Sequence, residues 1–268
     1  MNQNRTIKQR SSRNRIGFQW GRGLGASAWR LPALVAIVAL FGWAGCSDDD
    51  DNGVTMPTVG SASLRAAHLS FDAPAVDIFL NEGQAAAVTA LAFEEGTPYL
   101  VVDEGTYKLD LAASGSGWQQ AVLSVSGLEL GADQSYTAVA YGELNSIQAL
   151  ALLDDLSTPP AGELRLRAVH TAFGVGEVDI WNITDAQNPG LLYEDVGYGA
   201  VGSYYELPAQ AYTLGFDLDN DASPDVTFDV PALPAGTIAN VFAVRNVGGD
   251  VFLIAQLQDG TLAKINAS

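Results

Sequence analysis

Cysteine is nearly absent from this 268-residue chain: Cys46 stands alone, so no disulfide can close within the molecule. Histidine is almost as scarce, with only His68 and His170. One histidine with one nearby Asp in each half of the chain falls short of the three or four ligands that zinc takes. No apolar run reaches the roughly 20 residues of a helical membrane span; Leu31–Trp43 is apolar and charge-free but too short. No Asp or Glu precedes Cys46, whereas Arg5, Lys8, Arg10, Arg13, Arg15, Arg22 and Arg30 all do. Cleavage before Cys46 would leave 6 basic residues against 31 acidic ones, a net charge of −25. Such a surface repels nucleic acid and anionic headgroups and attracts cations. Nucleic-acid binding is set aside on that ground.

The N-terminus reads as an address. A basic, polar segment runs to Arg30, the apolar segment follows, and Ala44-Gly45-Cys46 comes next. A charged region, a short apolar region and small residues before a cut form a secretory signal. No twin-arginine pair occurs in it. Its end resembles a bacterial lipoprotein lipobox, with Trp43 in place of the usual aliphatic residue. The resemblance implies a signal peptide over 1–45, with Cys46 as the mature N-terminus carrying diacylglycerol on sulfur and an acyl chain on nitrogen. Each buried methylene contributes about 0.8 kcal/mol, so several chains anchor firmly in a membrane. Ser47 rather than Asp follows Cys46, which by resemblance to Gram-negative sorting implies the outer membrane. Residues 46–62, opening on Asp48 to Asp51, read as a solvated acidic tether.

Beyond the tether the chain repeats itself. Leu64, Arg65, Ala66, His68, Phe71, Val76, Asp77 and Ile78 recur 102 positions later as Leu166, Arg167, Ala168, His170, Phe173, Val178, Asp179 and Ile180. The stretch from Gly105, "GTYKLDL", matches "QAYTLGF" from Gln210, and "SYTAVAYG" from Ser135 matches "IANVFAVRN" from Ile238. A period near 100 residues predicts tandem domains rather than a solenoid. They are expected over 63–156 and 163–268, with 157–162 as linker. Short alternating runs rich in Val, Tyr, Leu and Thr, punctuated by Gly, Asp, Asn or Pro, predict strands throughout. The expected fold is all-β: two tandem immunoglobulin-like β-sandwich domains after the signal peptide and tether. "SIQALALLDDL", the nearest approach to a helix, reads as a closing strand because its counterpart "DVFLIAQLQD" does.

The segment "LRAAHLSFDAPAVDIFLNEG" resembles the opening signature of the family described as domain of unknown function 4397, and the resemblance extends over about 63–260. The second copy keeps His170 and Asp179 but has Gly174-Val175-Gly176 for Asp-Ala-Pro. The family implies secreted tandem β-domains and no catalytic residues. From the residues themselves, His68 and His170 each end a strand, and Asp77 and Asp179 each start the next. A ring nitrogen there donates to the carboxylate or to turn backbone. A duplicated metal or substrate site, or a Ser-His-Asp triad, is the alternative, although no G-x-S-x-G elbow is present.

One loop is a candidate Ca2+ site. Asp217, Asp219, Asp221, Ser223 and Asp225 follow the 1, 3, 5, 7, 9 spacing at which alternate oxygens converge on a hard cation. Ala222 replaces the turn glycine and Phe228 the final acid, and a solvated turn is the alternative. The function expected is a non-enzymatic, lipid-anchored envelope protein binding a protein or glycan partner. Trp118, Trp181, Tyr198, Tyr204 and Tyr205 are candidate contact aromatics, with Trp181 instead expected in its domain core. An envelope hydrolase acting through paired carboxylates, or a structural spacer, is the alternative.

Overall fold

The computed structural model describes residues 59–268. The first set of strands is β1 (Ser61–Leu69), β2 (Val76–Leu80), β3 (Val88–Leu91), β4 (Glu95–Gly96), β5 (Leu100–Asp103), β6 (Gly105–Ala113), β7 (Ala121–Leu130), β8 (Ser135–Tyr141) and β9 (Gln148–Asp154). They form two sheets. One has the order β4-β1-β8-β9, with β5 also on β1; the other is β3-β2-β6-β7. The second set is β10 (Glu163–His170), β11 (Val178–Asn182), β12 (Gly190–Val196), β13 (Tyr205–Pro208), β14 (Tyr212–Asp217), β15 (Val226–Val230), β16 (Ile238–Arg245), β17 (Val251–Leu257) and β18 (Leu262–Asn266). Its sheets are β13-β10-β16-β17-β18 and β12-β11-β14-β15.

The chain is thus two β-sandwiches, as the alternation implied, and the strand order repeats between them. The first strand of each lies parallel to a late one: Ser63 pairs with Ser135 and Leu69 with Tyr141, as Arg165 pairs with Ile238 and His170 with Ala243. Every other pairing is antiparallel. "SIQALALLDDL" supplies β9, a strand. Among the described residues no helix is long and apolar enough to cross a membrane.

The two sandwiches belong to one compact unit, Thr55–Ser268. Sheet β4-β1-β8-β9 is covered on both faces. Leu64 and Ala66 turn inward onto clusters with Leu130, Ile78 and Leu111. The intervening Ala67 and Leu69 turn outward and pack, with Val139, Tyr141 and Leu152, against Val169, Phe242, Val244, Phe252 and Ile254 of the second sandwich. β1 is therefore buried without a break from Leu64 to Leu69, whereas the outer strand β7 mostly alternates between half-buried and exposed residues. A period of two shows only where one face meets water.

Charge is enclosed in the same interface. The Asp154 side chain is 1% exposed. Arg167 Nη2 lies 2.6 Å from its Oδ1, and Arg65 Nη2 lies 3.5 Å from its Oδ2. The Tyr99 hydroxyl donates to it at 2.6 Å, and Thr137 Oγ1 and Asn240 Nδ2 donate as well. Each arginine also stacks on a tyrosine, Arg65 over Tyr99 and Arg167 over Tyr204, both 4.6 Å from the ring centroid. Each reaches a strand-end carbonyl of the other sandwich: Arg65 Nη1 to Leu257 O and Arg167 Nη1 to Leu153 O. Residues 102 apart in sequence thus make matching contacts, the mark of a two-fold-like interface.

The opposite end of the interface repeats the rule with aromatics. Phe71 and Phe173, also 102 apart, have ring centroids 6.3 Å apart. Tyr141 and Tyr198 meet edge-on at 5.3 Å. Gly142 (φ +91) and Gly199 (φ +82) make room for them. A Cβ on Gly142 would lie 2.7 Å from the Tyr198 hydroxyl, and one on Gly199 would lie 2.8 Å from that of Tyr141. The left-handed backbone and the close approach both require glycine.

Removing one partner from a buried ion group leaves a charge that water cannot reach, at a typical cost of about 3–5 kcal/mol. Asp154→Ala is expected to lower stability by that order in denaturant unfolding. Glu94→Ala breaks only the half-exposed pair with Lys264 and is expected to cost no more than about 1 kcal/mol. Equal effects of the two substitutions would refute the role given to Asp154.

Candidate functional site

The repeated signature builds two identical turns. His68 ends the inward-facing set of β1 and is fully buried. Its Nε2 lies 3.1 Å from Pro74 O, and Ser70 N approaches Nδ1 at 3.4 Å. His170 does the same with Gly176 O at 2.9 Å and Ala172 N at 3.3 Å. Since a carbonyl only accepts, Nε2 carries the proton and Nδ1 accepts. Both ring nitrogens of both histidines are engaged by their own turns. Loss of Asp-Ala-Pro in the second copy is tolerated because the contact is to backbone.

Asp77 and Asp179 do not meet the histidines. Asp77 accepts from Ala90 N at 2.7 Å and Gly115 N at 2.9 Å, and Asp179 accepts from Asp195 N at 2.7 Å. Ala90 and Asp195 have φ of +53 and +50 at irregular points of the β2–β3 and β11–β12 pairings. The carboxylates hold these bulges. Burial alone would raise the Asp77 carboxyl, but the amide donors outweigh it and hold it below the usual aspartate value.

In the acidic loop, the oxygens of Asp217, Asp219 and Asp225 converge to within 4.8 Å of one another. Asp221 is not in that group; its carboxylate accepts Ser223 N at 2.8 Å. Asp217, 1% exposed, organises the loop: Oδ1 accepts from the amides of Asp219, Asn220 and Asp221, and Oδ2 from Ala222. Burial would raise its carboxyl, yet those four amides bring it below the ordinary value. The Asp219 carboxyl is raised by the neighbouring charges of Asp221 and Asp225. Oδ2 takes only the Ala222 amide, and an oxygen with two lone pairs then keeps one for a cation. Asp219 has like charge to shed.

The remaining expectations divide. Cys46 and the tether lie outside the described residues. Tyr198 and Tyr204 line the interface between the sandwiches rather than open surface. Tyr205 is 39% exposed and stacks edge-on against Tyr193. Trp118 is half-buried, with Lys108 Nζ 5.5 Å from its ring. Trp181 is half-buried on β11 instead of fully enclosed. The Arg65–Asp154–Arg167 group has no local signal that would mark Asp154 as the shared partner; the arginines alone were visible, as part of the repeat.

Burial holds both imidazoles below their ordinary value. A depressed folded value means that the unfolded chain binds the proton more readily, so stability is full above about pH 6.5 and falls as pH drops below it. Urea midpoints measured downward from neutral pH should decline in that window, and the decline should shrink in the His68→Gln, His170→Gln double variant. A second decline, from Asp77 and Asp217, belongs below the ordinary aspartate value near pH 3.8. Millimolar calcium should raise the melting temperature, by a stabilisation of about 2.7 kcal/mol at a hundredfold excess over the dissociation constant. Asp219→Asn with Asp225→Asn should remove that shift, and an unchanged melting temperature in the parent chain would leave the loop a turn.

Residues 62–181 match the family model described as domain of unknown function, DUF4397. The match begins in β1 and ends in β11. A search of the curated proteins finds no match. Among solved structures, one described as "Alpha-glucan binding by a streptococcal virulence factor" aligns at 13% identity over 68% of this chain and 92% of that one, with a TM-score of 0.23. The Bacillus anthracis TIE protein aligns at 13% identity over 78% of this chain and 44% of its own, with a TM-score of 0.21. Superpositions this loose carry no argument about this chain, which leaves the similarity of residues 62–181 to the DUF4397 model.

Proposed function

We propose that this chain is a lipid-anchored protein of the bacterial cell envelope, held at the outer membrane through Cys46, whose paired DUF4397-type sandwiches serve binding or adhesion rather than catalysis. The lone cysteine directly after Leu31–Trp43 and Ala44-Gly45 carries the anchoring part of this reading. The binding part is supported by where the chemistry-bearing side chains go. Both histidines are closed off by backbone of their own turns, and the largest buried ionic group is an interface contact between sandwiches. The partner is a protein or glycan. All six basic residues after Cys46 are engaged: Arg65 and Arg167 at Asp154, Arg165 with Glu206 and Asp155, Lys108 with Glu82 and Asp110, Lys264 with Glu94, and Arg245 with the carbonyls of Phe173 and Gly249. An anionic partner would therefore meet a surface of unpaired acids, which favours neutral or basic ligands.

Expression in a Gram-negative host with an alkyne-tagged palmitate tests the anchor. The parent chain should take up the label and sediment with membranes, and Cys46→Ala should do neither. Label retained by the variant, or an unlabelled and freely soluble parent chain, would overturn the reading.

A further inference from the structure

The two sandwiches are built alike except along one edge. In the second, β18 adds to β17 as a fifth strand, with Gln256 paired to Leu262 and Phe252 to Asn266. Its end crosses to the outer sheet, where Ala267 bridges Phe228 and Ser268 N donates to Thr227 O at 2.9 Å. This strand closes the side of the sandwich. Beneath it Leu253 is 0%, Ala255 3% and Phe228 0% exposed, and Ile265 of β18 itself is 9% exposed.

In the first sandwich the chain leaves β9 for the linker, and no fifth strand follows β9 among the described residues. Strand register places Ala149, Ala151 and Val125 where the second sandwich has Leu253, Ala255 and Phe228. Ala151 is exposed, and Ala149 and Val125 are only half-buried. An apolar cavity of about 50 Å³ reaches this edge and is lined there by Leu123, Val125, Ala149 and Ala151. β9 carries no charge from Gln148 to Leu152, no proline and no bulge. Sheet edges are usually blunted by such features, because an open row of amides and carbonyls accepts another strand. The open run ends at Leu153, whose carbonyl takes Arg167, as Leu257 takes Arg65 just before the turn into β18.

The geometry points to this edge as the acceptor for an extended strand of another polypeptide, added antiparallel to β9 in the place that β18 fills in the second sandwich. Such strand addition draws its affinity from main-chain hydrogen bonds and its specificity from alternate side-chain pockets. The chemistry of the occupant follows from β18, "LAKIN". Ile265 enters the core, Leu262 packs on the inter-sandwich cluster, and Lys264 meets Glu94 while lying 3.8 Å from the Phe252 ring centroid. The partner strand is thus apolar at two positions three apart; at β9 Gln148 stands where β17 has Phe252, so the charge of the occupant follows instead from the excess of acids on this chain, which favours a basic strand free of acids. Among the described residues a second copy of this chain offers no free strand of that type, since its own β18 is engaged, and like charge opposes its approach. The site goes beyond the envelope reading and stands with or without lipid on Cys46.

The full chain in neutral detergent, with a synthetic peptide of residues 261–268 (TLAKINAS) as probe, tests this by residue-resolved amide exchange. The peptide should slow exchange along Gln148–Leu152 and around Val125 and leave β15 and β17 as they were. A peptide with glutamate at the lysine position should bind at least about tenfold more weakly. Ala151→Arg in the chain fills the gap and should abolish the protection; Val125→Asp serves if β9 itself is disturbed, with exchange at Ile78 and Leu111 reporting an intact core. Absence of protection at β9, equal protection in both variants, or displacement of the chain's own β18 would each overturn the proposal. Self-association through β9 without peptide would name a second copy as the occupant and overturn it too.

Discussion

A single carboxylate, Asp154, shared by two buried guanidinium groups determines how the two sandwiches sit on each other. Taking three charges out of water costs more than their mutual attraction returns unless every remaining donor finds an acceptor. Here the surplus donors of Arg65 and Arg167 go to Thr137, Asn240 and the carbonyls of Leu257 and Leu153. Thr137 and Asn240 lie on the strand next to each arginine in its own sandwich, but the two carbonyls, and Asp154 for Arg167, are correctly placed only when the sandwiches face each other in one orientation. The apolar patch around Phe242, Phe252 and Leu69 supplies the adhesion, because burial of apolar surface is favourable in any orientation. The ionic group selects among those orientations, since a rotated docking would strand a charge.

This division of labour explains the repeated stretch in the sequence. In "LRAAHL" the even-numbered Leu64, Ala66 and His68 serve the domain's own core and turn, while Arg65, Ala67 and Leu69 serve the contact with the other domain. The same alternation holds for Ala168 and His170 against Arg167 and Val169. The strand is thus recognisable twice over, and a signature that resembles a binding motif is a folding and docking motif. Strands were legible because Val, Tyr and Thr alternate with small polar residues on the outer sheets. The inner sheets were less so, since burial on both faces erases the period of two. The histidines' attachment to turn backbone was within reach of the sequence. The bulges held by Asp77 and Asp179 were not, because their donors lie 13 and 16 residues away. Tyr198 and Tyr204 suggested surface contacts, and nothing local reveals that a second sandwich covers them. In the acidic loop, linear spacing indicated five converging oxygens, but the chain bends around Asp217, so three acids gather and Asp221 turns to its own backbone.

The basic residues complete the electrostatic picture. With only six after Cys46 and each engaged by acid or carbonyl groups, the acids in excess are left to the surface. Self-repulsion of this kind keeps a protein dispersed and works against compactness. The inward placement of the arginines counters it at the one place where two domains must touch. Arg165 continues the pattern at the rim, joining Asp155, which directly follows β9, to Glu206 of β13, so the start of the connection between the sandwiches is itself held down by charge.

Two like domains in one chain cannot be fully equivalent, because the first must pass its chain on to the second. The second turns back after Leu257 as β18 and closes its side; the first runs from β9 toward β10. β9 ends at Asp154, the residue that both arginines need, and the chain runs from there toward β10. If the chain hairpinned there, as it does after Leu257, the residues that reach toward Glu163 would be diverted into an extra strand and the second domain could not start where the interface requires it. The open edge of the first sandwich is therefore a consequence of the same geometry that docks the pair. A two-fold-like interface made by a continuous chain leaves its asymmetry at the strand ends, and that is where a partner strand finds unpaired backbone.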